Sequence, residues 1–188
     1  MSAGLESLAA EAQSCTACEL SATRHSVVFA SGPAIARVLL VGEAPGAEED
    51  RTGIPFVGRS GVLLGELLDE VGLERSMLYV TNVVKCRPPA NRTPRAREVA
   101  TCRRFLIGQL DTVCPVVVIT LGNTATRAVL DTTRPISMLR GEVHHEPRSG
   151  RAVVPTYHPA AALRGGAVIL DRLRSDLRLA ASLSTEAP

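Results

Sequence analysis

The 188-residue sequence predicts a single α/β domain with a mostly parallel sheet and helices on both faces. Three observations indicate this fold class. Short apolar runs of strand length alternate along the chain with stretches of helical periodicity. The run over residues 37–41 is ended by Gly42, as expected for a buried parallel strand. The apolar content of 45% in a chain of this length is sufficient for one sizeable core.

Each element is predicted from the spacing of apolar residues and from the turn residues at its ends. Helices are expected over residues 5–13, 61–71, 94–113, 123–130 and 168–183, with a short element at 20–25. Strands are expected over residues 27–30, 37–41, 77–81, 116–121, 141–146 and 151–156. Thr93 and Pro94 begin the third helix in this prediction, because Thr caps helices and Pro suits the first turn. Residues 182–188 are expected to form a frayed tail.

The distribution of charge is more informative than the net charge of +2. Residues 85–104 contain seven basic side chains and one acid, Glu98, as a phosphate-binding face requires. The seven are Lys85, Arg87, Arg92, Arg95, Arg97, Arg103 and Arg104. The alternative is a general preference for arginine, since Lys85 is the only lysine of the chain. The clustering favours the phosphate-binding interpretation.

The N-terminal sequence lacks the basic start and the long apolar core of a secretory signal. No uninterrupted apolar run is long enough to cross a bilayer. We therefore expect a soluble cytoplasmic protein without membrane contact, in which cysteines stay reduced or bind a metal.

Polar residues follow three of the predicted strands at the point where each strand ends. Glu43, Asn82 and His158 each come directly after an apolar run. The carboxyl ends of parallel strands meet at one edge of a sheet, so these side chains are expected to lie together. Each alone is explained equally well as a turn residue or a helix cap. Together with the isolated aromatic Phe56, they predict a pocket at this edge.

The five cysteines indicate a metal site. Cys15 and Cys18 form a CxxC pair, whereas Cys86 and Cys102 are too far apart to form a second one. Four thiolates can hold a [4Fe–4S] cluster or Zn(II), and the spacing leaves the metal undecided. A redox dithiol is less consistent with the CxxC pair, which ends a helix rather than following a strand. Considered alone, Cys102 is also explained as a cysteine of the hydrophobic core. Cys114 is expected to be a core cysteine.

Five motifs in order along the chain resemble family 4 uracil-DNA glycosylases, the iron–sulfur branch of the uracil-DNA glycosylase superfamily. They are GEAPGAEEDRTGIPFVGRSG (42–61), YVTNVVKCRPPANRTP (79–94), LGNTA (121–125), RGE (140–142) and YHPAAALR (157–164). The resemblance implies a three-layer α/β/α sandwich with a parallel four-stranded sheet, as a single domain over residues 1–188. It also implies a structural [4Fe–4S] cluster, with two of its cysteines in an N-terminal segment over residues 1–25. Its ligands would be Cys15, Cys18, Cys86 and Cys102.

The resemblance implies a DNA repair enzyme that flips uracil out of DNA and hydrolyses its N-glycosidic bond, leaving an abasic site. Phe56 matches the family's residue that stacks on the flipped base. Asn82 matches the residue that reads the uracil edge, because an amide both donates and accepts hydrogen bonds. His158 matches the histidine that supports the anion developing on O2 of uracil.

The roles of the remaining site residues are less direct in this resemblance. Glu43 and Glu49 match acidic positions near the sugar and the attacking water. Ala44 stands where the best-known branch has the Asp that positions the water, so no direct carboxylate base is expected there. Gly46 replaces a bulky Tyr of that branch, as family 4 enzymes do. Asn91 is expected to approach the substrate.

The expected partner is uracil-containing DNA, single- or double-stranded, with the protein acting as a monomer. Arg87 and Arg92 are expected to meet phosphates. The loop over residues 158–164 is expected to reach the minor groove, with Leu163 as its apolar wedge and Arg164 beside it. The sequence leaves contact with a sliding clamp open.

Three alternative functions compete with a monofunctional glycosylase. The related family X becomes covalently attached to DNA through a reactive His in a basic loop, but KCRPPANRTPR (85–95) contains no His. A non-catalytic iron–sulfur protein that binds DNA or transfers electrons has no reason to keep Phe56, Asn82 and His158 at one edge. A zinc-stapled domain would lack the brown colour of an iron–sulfur cluster.

Overall fold

A computed structural model of the chain describes residues 3–186, and within them a mostly parallel sheet forms the centre of the fold. Its strands are β1 (Val38–Gly42), β2 (Tyr79–Asn82), β3 (Val117–Leu121), β4 (His144–His145) and β5 (Ala152–Thr156). The strand order is β2-β1-β3-β5-β4. All neighbours are parallel except β4, which pairs antiparallel with β5. The predicted fold class is confirmed, and the short β4 adds a fifth strand to the expected four.

Helices cover both faces of this sheet and complete the three layers. They are α1 (Ala3–Gln13), α2 (Ala47–Thr52), α3 (Arg59–Glu70), α4 (Ala96–Val113), α5 (Gly122–Leu130), α6 (Pro159–Gly165) and α7 (Ala167–Glu186). Alternate residues of β1 point to opposite faces, as the strand geometry requires. Leu39 and Val41 belong to the core that includes residues of α1 and α4. Val38 and Leu40 belong to the core that includes residues of α3 and α7.

The strand predicted over residues 27–30 is wrong. This segment runs beside β2, where Val28 N donates to Lys85 O at 2.8 Å, but it makes only an isolated bridge between Ser31 and Val80. Gly32, at φ 109°, then approaches the backbone of Leu78 closely and turns the chain away. A ladder therefore does not form, although the residues have strand composition.

The ends of two helices differ from the prediction. Thr93 and Pro94 do not start α4, which begins at Ala96. The amide of Arg95 instead donates to Oε2 of Glu98 at 2.7 Å, so a carboxylate satisfies the exposed end of the helix. At the other terminus, α7 continues through Glu186, and residues 187 and 188 of the expected frayed tail lie outside the described residues.

The short helices α2 and α6 were not predicted, because each has too few residues for a helical pattern of apolar side chains. Both matter for the site, since they lie directly after β1 and β5 at the carboxyl edge of the sheet. Within residues 3–186, no helix is both long enough and apolar enough to cross a membrane.

Candidate active site

An open cavity of about 950 Å³ lies at the carboxyl edge of the sheet, and we call it the edge cavity. Glu43 follows β1, Asn82 ends β2 and His158 follows β5, so three parallel strands deliver these side chains to one place. Phe56 reaches the same cavity from the loop between α2 and α3. The structure therefore brings together all four residues that the strand ends and the isolated aromatic predicted.

The rings of Phe56 and His158 face each other in the edge cavity. Their centroids are 5.9 Å apart and their planes differ by 29°, which is the geometry of a directly stacked pair. A base therefore does not fit between these two rings as they stand, and the accessible space lies beside them.

Gly42 makes this arrangement sterically feasible, and the sequence analysis did not single it out as a site residue. A Cβ atom built on Gly42 would lie 2.3 Å from Oδ1 of Asn82 and 2.4 Å from Cζ of Phe56. Both distances are far below van der Waals contact, so any side chain here would displace the amide or the ring. The signal in the sequence was a glycine directly before Glu43 at the end of an apolar strand.

Asn82 is 2% exposed, and its Oδ1 atom is buried without a hydrogen-bond partner among the described residues. A buried acceptor left unsatisfied costs roughly 1–3 kcal/mol, so such atoms are rare unless a ligand completes them. The backbone oxygen of Asn82, in contrast, accepts a hydrogen bond from Nζ of Lys85 at 2.6 Å. The backbone of Asn82 is thus fixed, while its side-chain acceptor has no partner among the described residues and the residue lines the edge cavity.

Lys85, which the sequence analysis assigned to a basic surface, is instead buried at 1% exposure. Its Nζ also donates to Oγ1 of Thr81 at 2.8 Å and to Oε1 of Gln109 at 2.6 Å. Gln109 in turn donates to the backbone oxygen of Phe29 at 3.1 Å. This network links β2 to α4 beneath the edge cavity, so Lys85 supports the site rather than contacting phosphate.

The hydrogen bonds of His158 define its tautomer. Its Nδ1 atom accepts a hydrogen bond from the amide of Ala160 at 3.1 Å, so in the neutral ring the proton is on Nε2. Burial, together with the nearby charge of Arg164, lowers the pKa of His158 to about 4, partly opposed by Glu49. At neutral pH, His158 is therefore an uncharged hydrogen-bond donor at the edge cavity.

The two candidate acids differ in how their oxygens are used. Oε2 of Glu43 accepts a hydrogen bond from Oγ1 of Thr124 in α5, and the side chain is half-buried in the edge cavity. Glu49 accepts hydrogen bonds from three backbone amides, those of Gly46, Val57 and Gly58, at 2.9–3.0 Å. Oε1 of Glu43 thus has no hydrogen-bond partner among the described residues, whereas both oxygens of Glu49 bind the loop backbone.

Ala44 and Asn91 also line the edge cavity. Asn91 and the preceding Ala90 both have φ 53°, in the left-handed region. Oδ1 of Asn91 accepts a hydrogen bond from Nε of Arg87 at 2.7 Å, which ties this exposed loop together. Ala44 contributes a methyl group and no acid to the cavity, as the sequence predicted.

Much of the basic stripe is paired with acids of the N-terminal segment, which neutralise part of its charge, and its contact with phosphate stays a prediction. Arg95 and Arg97 form ion pairs with Glu19, and Arg104 pairs with Glu11. Arg92 pairs with the buried Glu98 at 2.6 Å. The sequence could not reveal these partners, because Glu11 and Glu19 lie about 80 to 90 residues earlier in the chain.

Leu163 and Arg164 both lie on α6, but of the two only Arg164 lines the edge cavity. The side chain of Leu163 is 46% exposed, and Arg164 is exposed and lines the cavity. An apolar side chain beside a cation at the rim is consistent with the wedge predicted from the sequence.

The four predicted ligand cysteines line a second, small cavity of about 20 Å³, which we call the cysteine cavity. They are Cys15, Cys18, Cys86 and Cys102. Two arginines direct N–H groups at them: Arg24 donates to Sγ of Cys86 at 3.3 Å, and Arg104 to Sγ of Cys15 at 3.8 Å. Cys114 does not line this cavity; it is exposed at the end of α4, so its prediction as a core residue is wrong.

The donor set of the cysteine cavity fits a thiolate-ligated cluster. Among residues 3–186, no group of three or more His, Cys, Asp or Glu side chains stands at metal-holding geometry. Burial raises the pKa values of the Cys86 and Cys102 thiols, so without a cation these groups stay protonated. The donors from Arg24 and Arg104 provide the positive charge and N–H···S bonds that a negatively charged cluster needs.

Similarity to a known protein family identifies the class of protein to which this chain belongs. The chain matches the model of the uracil DNA glycosylase superfamily over residues 29–177. It therefore belongs to the uracil-DNA glycosylase superfamily. The matched region contains the edge cavity, whereas Cys15 and Cys18 precede it.

Individual relatives narrow this class to one branch. The chain is 44% identical to the type-4 uracil-DNA glycosylase of Thermotoga maritima, over 90% of this chain and 88% of that protein. It is 41% identical to the type-4 uracil-DNA glycosylase of Archaeoglobus fulgidus, over 85% and 83%. A type-5 uracil-DNA glycosylase of Pyrobaculum aerophilum is 35% identical, over 78% and 72%. The predicted family 4 membership is confirmed.

Proposed function

We propose that this protein removes uracil from DNA by hydrolysing its N-glycosidic bond and leaves an abasic site. The observation that carries this proposal is the buried Oδ1 atom of Asn82, an acceptor without a partner among the described residues. Asn82 lines a cavity that also holds an aromatic ring and a neutral histidine. Membership of the superfamily supports the same reaction.

Asn82 selects the base by the pattern of its hydrogen bonds. Oδ1 of Asn82 accepts from N3–H of uracil, which satisfies the buried acceptor, while its amide N–H donates to O4. Cytosine presents an acceptor at N3 and a donor at N4, so both contacts become repulsive. The flipped base stacks on Phe56 where this residue lines the cavity, which offsets part of the few kcal/mol that flipping costs.

His158 stabilises the leaving group as the bond to the sugar breaks. Negative charge then grows on O2 of uracil, and a donor placed there strengthens its interaction in the transition state. The neutral ring donates its Nε2 proton as a hydrogen bond, because Nδ1 is held by Ala160. A pKa of about 4 means that an imidazolium is not the working form at neutral pH.

The attacking water is held by Glu43 rather than by a base at position 44. Glu43 is half-buried in the edge cavity and is oriented by Thr124, so it can accept a hydrogen bond from water near the sugar. Ala44 provides no carboxylate. Most of the rate enhancement is therefore assigned to leaving-group stabilisation and to positioning of the flipped nucleotide.

The only lysine of the chain supports a monofunctional enzyme. A glycosylase that also cuts the DNA strand through a Schiff base needs an accessible amine at the site. Lys85 is 1% exposed, and its Nζ donates to Thr81, Asn82 and Gln109. Strand cleavage by a lysine Schiff base is therefore not expected.

We assign a [4Fe–4S] cluster to Cys15, Cys18, Cys86 and Cys102. When bound, the cluster supplies a covalent cross-link between the N-terminal segment, the end of β2 and α4, and no electron is transferred in the reaction. Its position supports this role, because Cys86 lies four residues after Asn82 in the chain.

DNA is held by side chains at the rim of the edge cavity. We assign phosphate contacts to Arg87 and Arg92, a contact with the strand to Arg164, and the wedge to Leu163. Arg92 is already paired with Glu98, so its share of phosphate binding is the smaller one. Monomeric state and cytoplasmic location stay predictions.

The test is a denaturing gel of a labelled single-stranded oligonucleotide with one uracil, incubated with the protein and then treated with or without hot alkali. Cleavage only after alkali is the expected result, since an abasic site breaks in alkali. Oligonucleotides with thymine or cytosine at the same position are the controls. Cleavage without alkali contradicts a monofunctional enzyme, a shifted band that survives denaturation indicates cross-linking, and no change in any lane contradicts the proposed function.

A further inference from the structure

We infer that Glu49 and Arg75 together hold Phe56 in the conformation that stacks on the base, and we call this pair the Phe56 clamp. The inference rests on the proposed function, since it concerns the geometry of uracil excision. It makes Arg75, which lies outside the edge cavity, a positioning residue for the reaction. It also gives Glu49 a role through the loop rather than through the water.

Phe56 needs such support because its backbone has φ 55°. This left-handed region is unfavourable for a bulky side chain, and strained residues persist only where their surroundings fix them. Phe56 as a residue is nevertheless only 8% exposed, and its ring packs against His158 and Gly42. Without external constraints, the loop would relax and withdraw the ring from the cavity.

Glu49 fixes the residues that follow Phe56. Its Oε1 atom accepts hydrogen bonds from the amides of Val57 at 3.0 Å and Gly58 at 2.9 Å. Its Oε2 atom accepts from the amide of Gly46 at 3.0 Å, at the start of α2. One carboxylate thus joins the start of α2 to the end of the loop that carries Phe56.

Arg75 fixes the residue that precedes Phe56. Its Nη2 atom donates to the backbone oxygen of Pro55 at 2.6 Å. Its Nη1 atom is buried without a hydrogen-bond partner in the described part of the chain. The position of the guanidinium therefore lowers the stability of the fold by the desolvation free energy of that donor. Burial lowers the pKa of Arg75 and the charge of Glu49 raises it, so the two charges interact.

The peptide groups on both sides of Phe56 are therefore held by opposite charges that face the same loop. Gly61 of α3 closes the arrangement from below, because a Cβ atom there would lie 1.9 Å from the backbone oxygen of Phe56. A carboxylate that served the attacking water would leave an oxygen free in the cavity. Glu49 binds backbone amides through both oxygens.

A double-mutant cycle tests whether Arg75 acts through Phe56. Single-turnover rates of uracil release are measured at saturating protein for the wild type, Arg75→Ala, Phe56→Ala and the double variant. Phe56→Ala should lose about 10- to 100-fold and Arg75→Ala about 10-fold, since both remove stacking. The double variant should be no more than about twofold slower than Phe56→Ala. An equal loss from Arg75→Ala in both backgrounds contradicts the clamp.

The same cycle with Glu49 separates positioning from direct catalysis. Glu49→Ala should slow the reaction in the wild-type background and have little further effect in Phe56→Ala. Glu49→Gln should recover part of the rate, because an amide oxygen still accepts from Val57 and Gly58. If Glu49 instead binds the attacking water directly, Glu49→Gln will be as slow as Glu49→Ala. Glu49→Ala will then also slow the reaction in the Phe56→Ala background.

Arg148→Ala is the matched control for loss of an arginine. Arg148 pairs with Asp111 before β5, at the amino edge of the sheet, so its removal should leave the rate unchanged. Unfolding temperature is measured for every variant, and Arg75→Lys replaces Arg75→Ala if the latter does not fold. A wild-type protein that releases no uracil contradicts the proposed function, whereas additive losses in an active enzyme contradict the clamp alone.

Discussion

The edge cavity and the cysteine cavity are built in opposite ways. The first is formed by the ends of three parallel strands, and its main side chains are already oriented by hydrogen bonds or packing. The second collects side chains from the N-terminal segment, from the segment after β2 and from α4, and no strand passes through it. The edge cavity is therefore fixed by the fold, whereas the cysteine cavity depends on what joins its four thiols.

Burial has opposite consequences in these two regions. In the edge cavity it favours neutral His158, which is the form that donates a hydrogen bond to the proposed leaving group. In the cysteine cavity it favours neutral thiols, whereas a metal centre requires thiolates. A cation that bound there would have to displace protons, so its binding would be coupled to folding and to pH. Substitutions should accordingly impair reactivity at one cavity and stability at the other.

The largest expected effect is that of Cys86→Ala, which removes one proposed cluster ligand. We expect loss of bound iron, of visible absorbance and of soluble protein, because metal binding and folding are coupled at this cavity. Cys114→Ala is the control, since Cys114 is exposed outside the cavity. Normal iron content and unfolding temperature in Cys86→Ala would show that Cys86 is not a ligand.

His158→Ala should lower the rate of uracil release by about 100- to 1,000-fold, the loss typical of a donor that stabilises developing charge. Its unfolding temperature should fall only slightly, through loss of the cap hydrogen bond to Ala160, whereas Cys86→Ala should lose the folded protein. His144→Ala serves as the control, because His144 lies in β4 and bonds to Leu139 O away from the edge cavity. Single-turnover kinetics measures the rate, and a wild-type rate in His158→Ala would exclude the assigned role.

Gly42→Ala should lower the same rate by about 100-fold, because a shift of about 1 Å in a positioned group has this effect. The added methyl group would displace the Phe56 ring or the Asn82 amide. Gly65→Ala is the matched control, since a Cβ at Gly65 meets no atom within 4 Å. Equal activity in the two variants would mean that the close approach at Gly42 is unimportant.

Arg87→Ala should weaken DNA binding about fivefold near 0.1 M salt if this arginine contacts one phosphate. The slope of log affinity against log salt should fall by about 0.7 for single-stranded DNA. Arg178→Ala is the control, since Arg178 is exposed on α7 and does not line the edge cavity. Titrations by fluorescence anisotropy at several salt concentrations give both quantities, and an unchanged slope argues against the contact.

The pH dependence should show the smallest effect. Half of His158 is protonated at its pKa of about 4, so uracil release should be halved there and constant above about pH 5.5. Between pH 4 and 6.5 the unfolded chain binds a proton that the folded chain does not, so stability falls as pH decreases through this window. A rate profile with its midpoint near 6.5 would show that His158 is not desolvated. Visible absorbance at each pH controls for cluster loss.

Sequence reasoning predicted the edge cavity well because strand ends carry positional information. Glu43, Asn82 and His158 each follow an apolar run, and parallel strands necessarily bring such positions together. Phe56 was predicted to join them as the one aromatic of the loop after β1, and the resemblance to known motifs added its stacking role. The fold class was predictable from the alternation of strand-like and helix-like segments. The family and the grouping of the four cysteines were predictable from the resemblance to known motifs.

Other features depend on contacts between distant residues and have no local signal. Arg75 reaches Pro55 across 20 residues, and Glu19 reaches Arg97 across 78. Lys85 looked like part of a charged surface, but its neighbours on β2 and α4 supply enough acceptors to bury it. Cys114 has an apolar sequence context, yet the left-handed turn that ends α4 exposes it. Only the tertiary structure determines such outcomes.

The burial of Lys85 also has a practical consequence for amine chemistry on this protein. Because the chain has a single lysine with 1% exposure, reagents that acylate amines should leave the lysine side chain of the folded protein unmodified. Acylation at Lys85 would then occur only when the region between β2 and α4 opens. The rate of that modification, followed by mass spectrometry, therefore measures how often the structure around Lys85 opens.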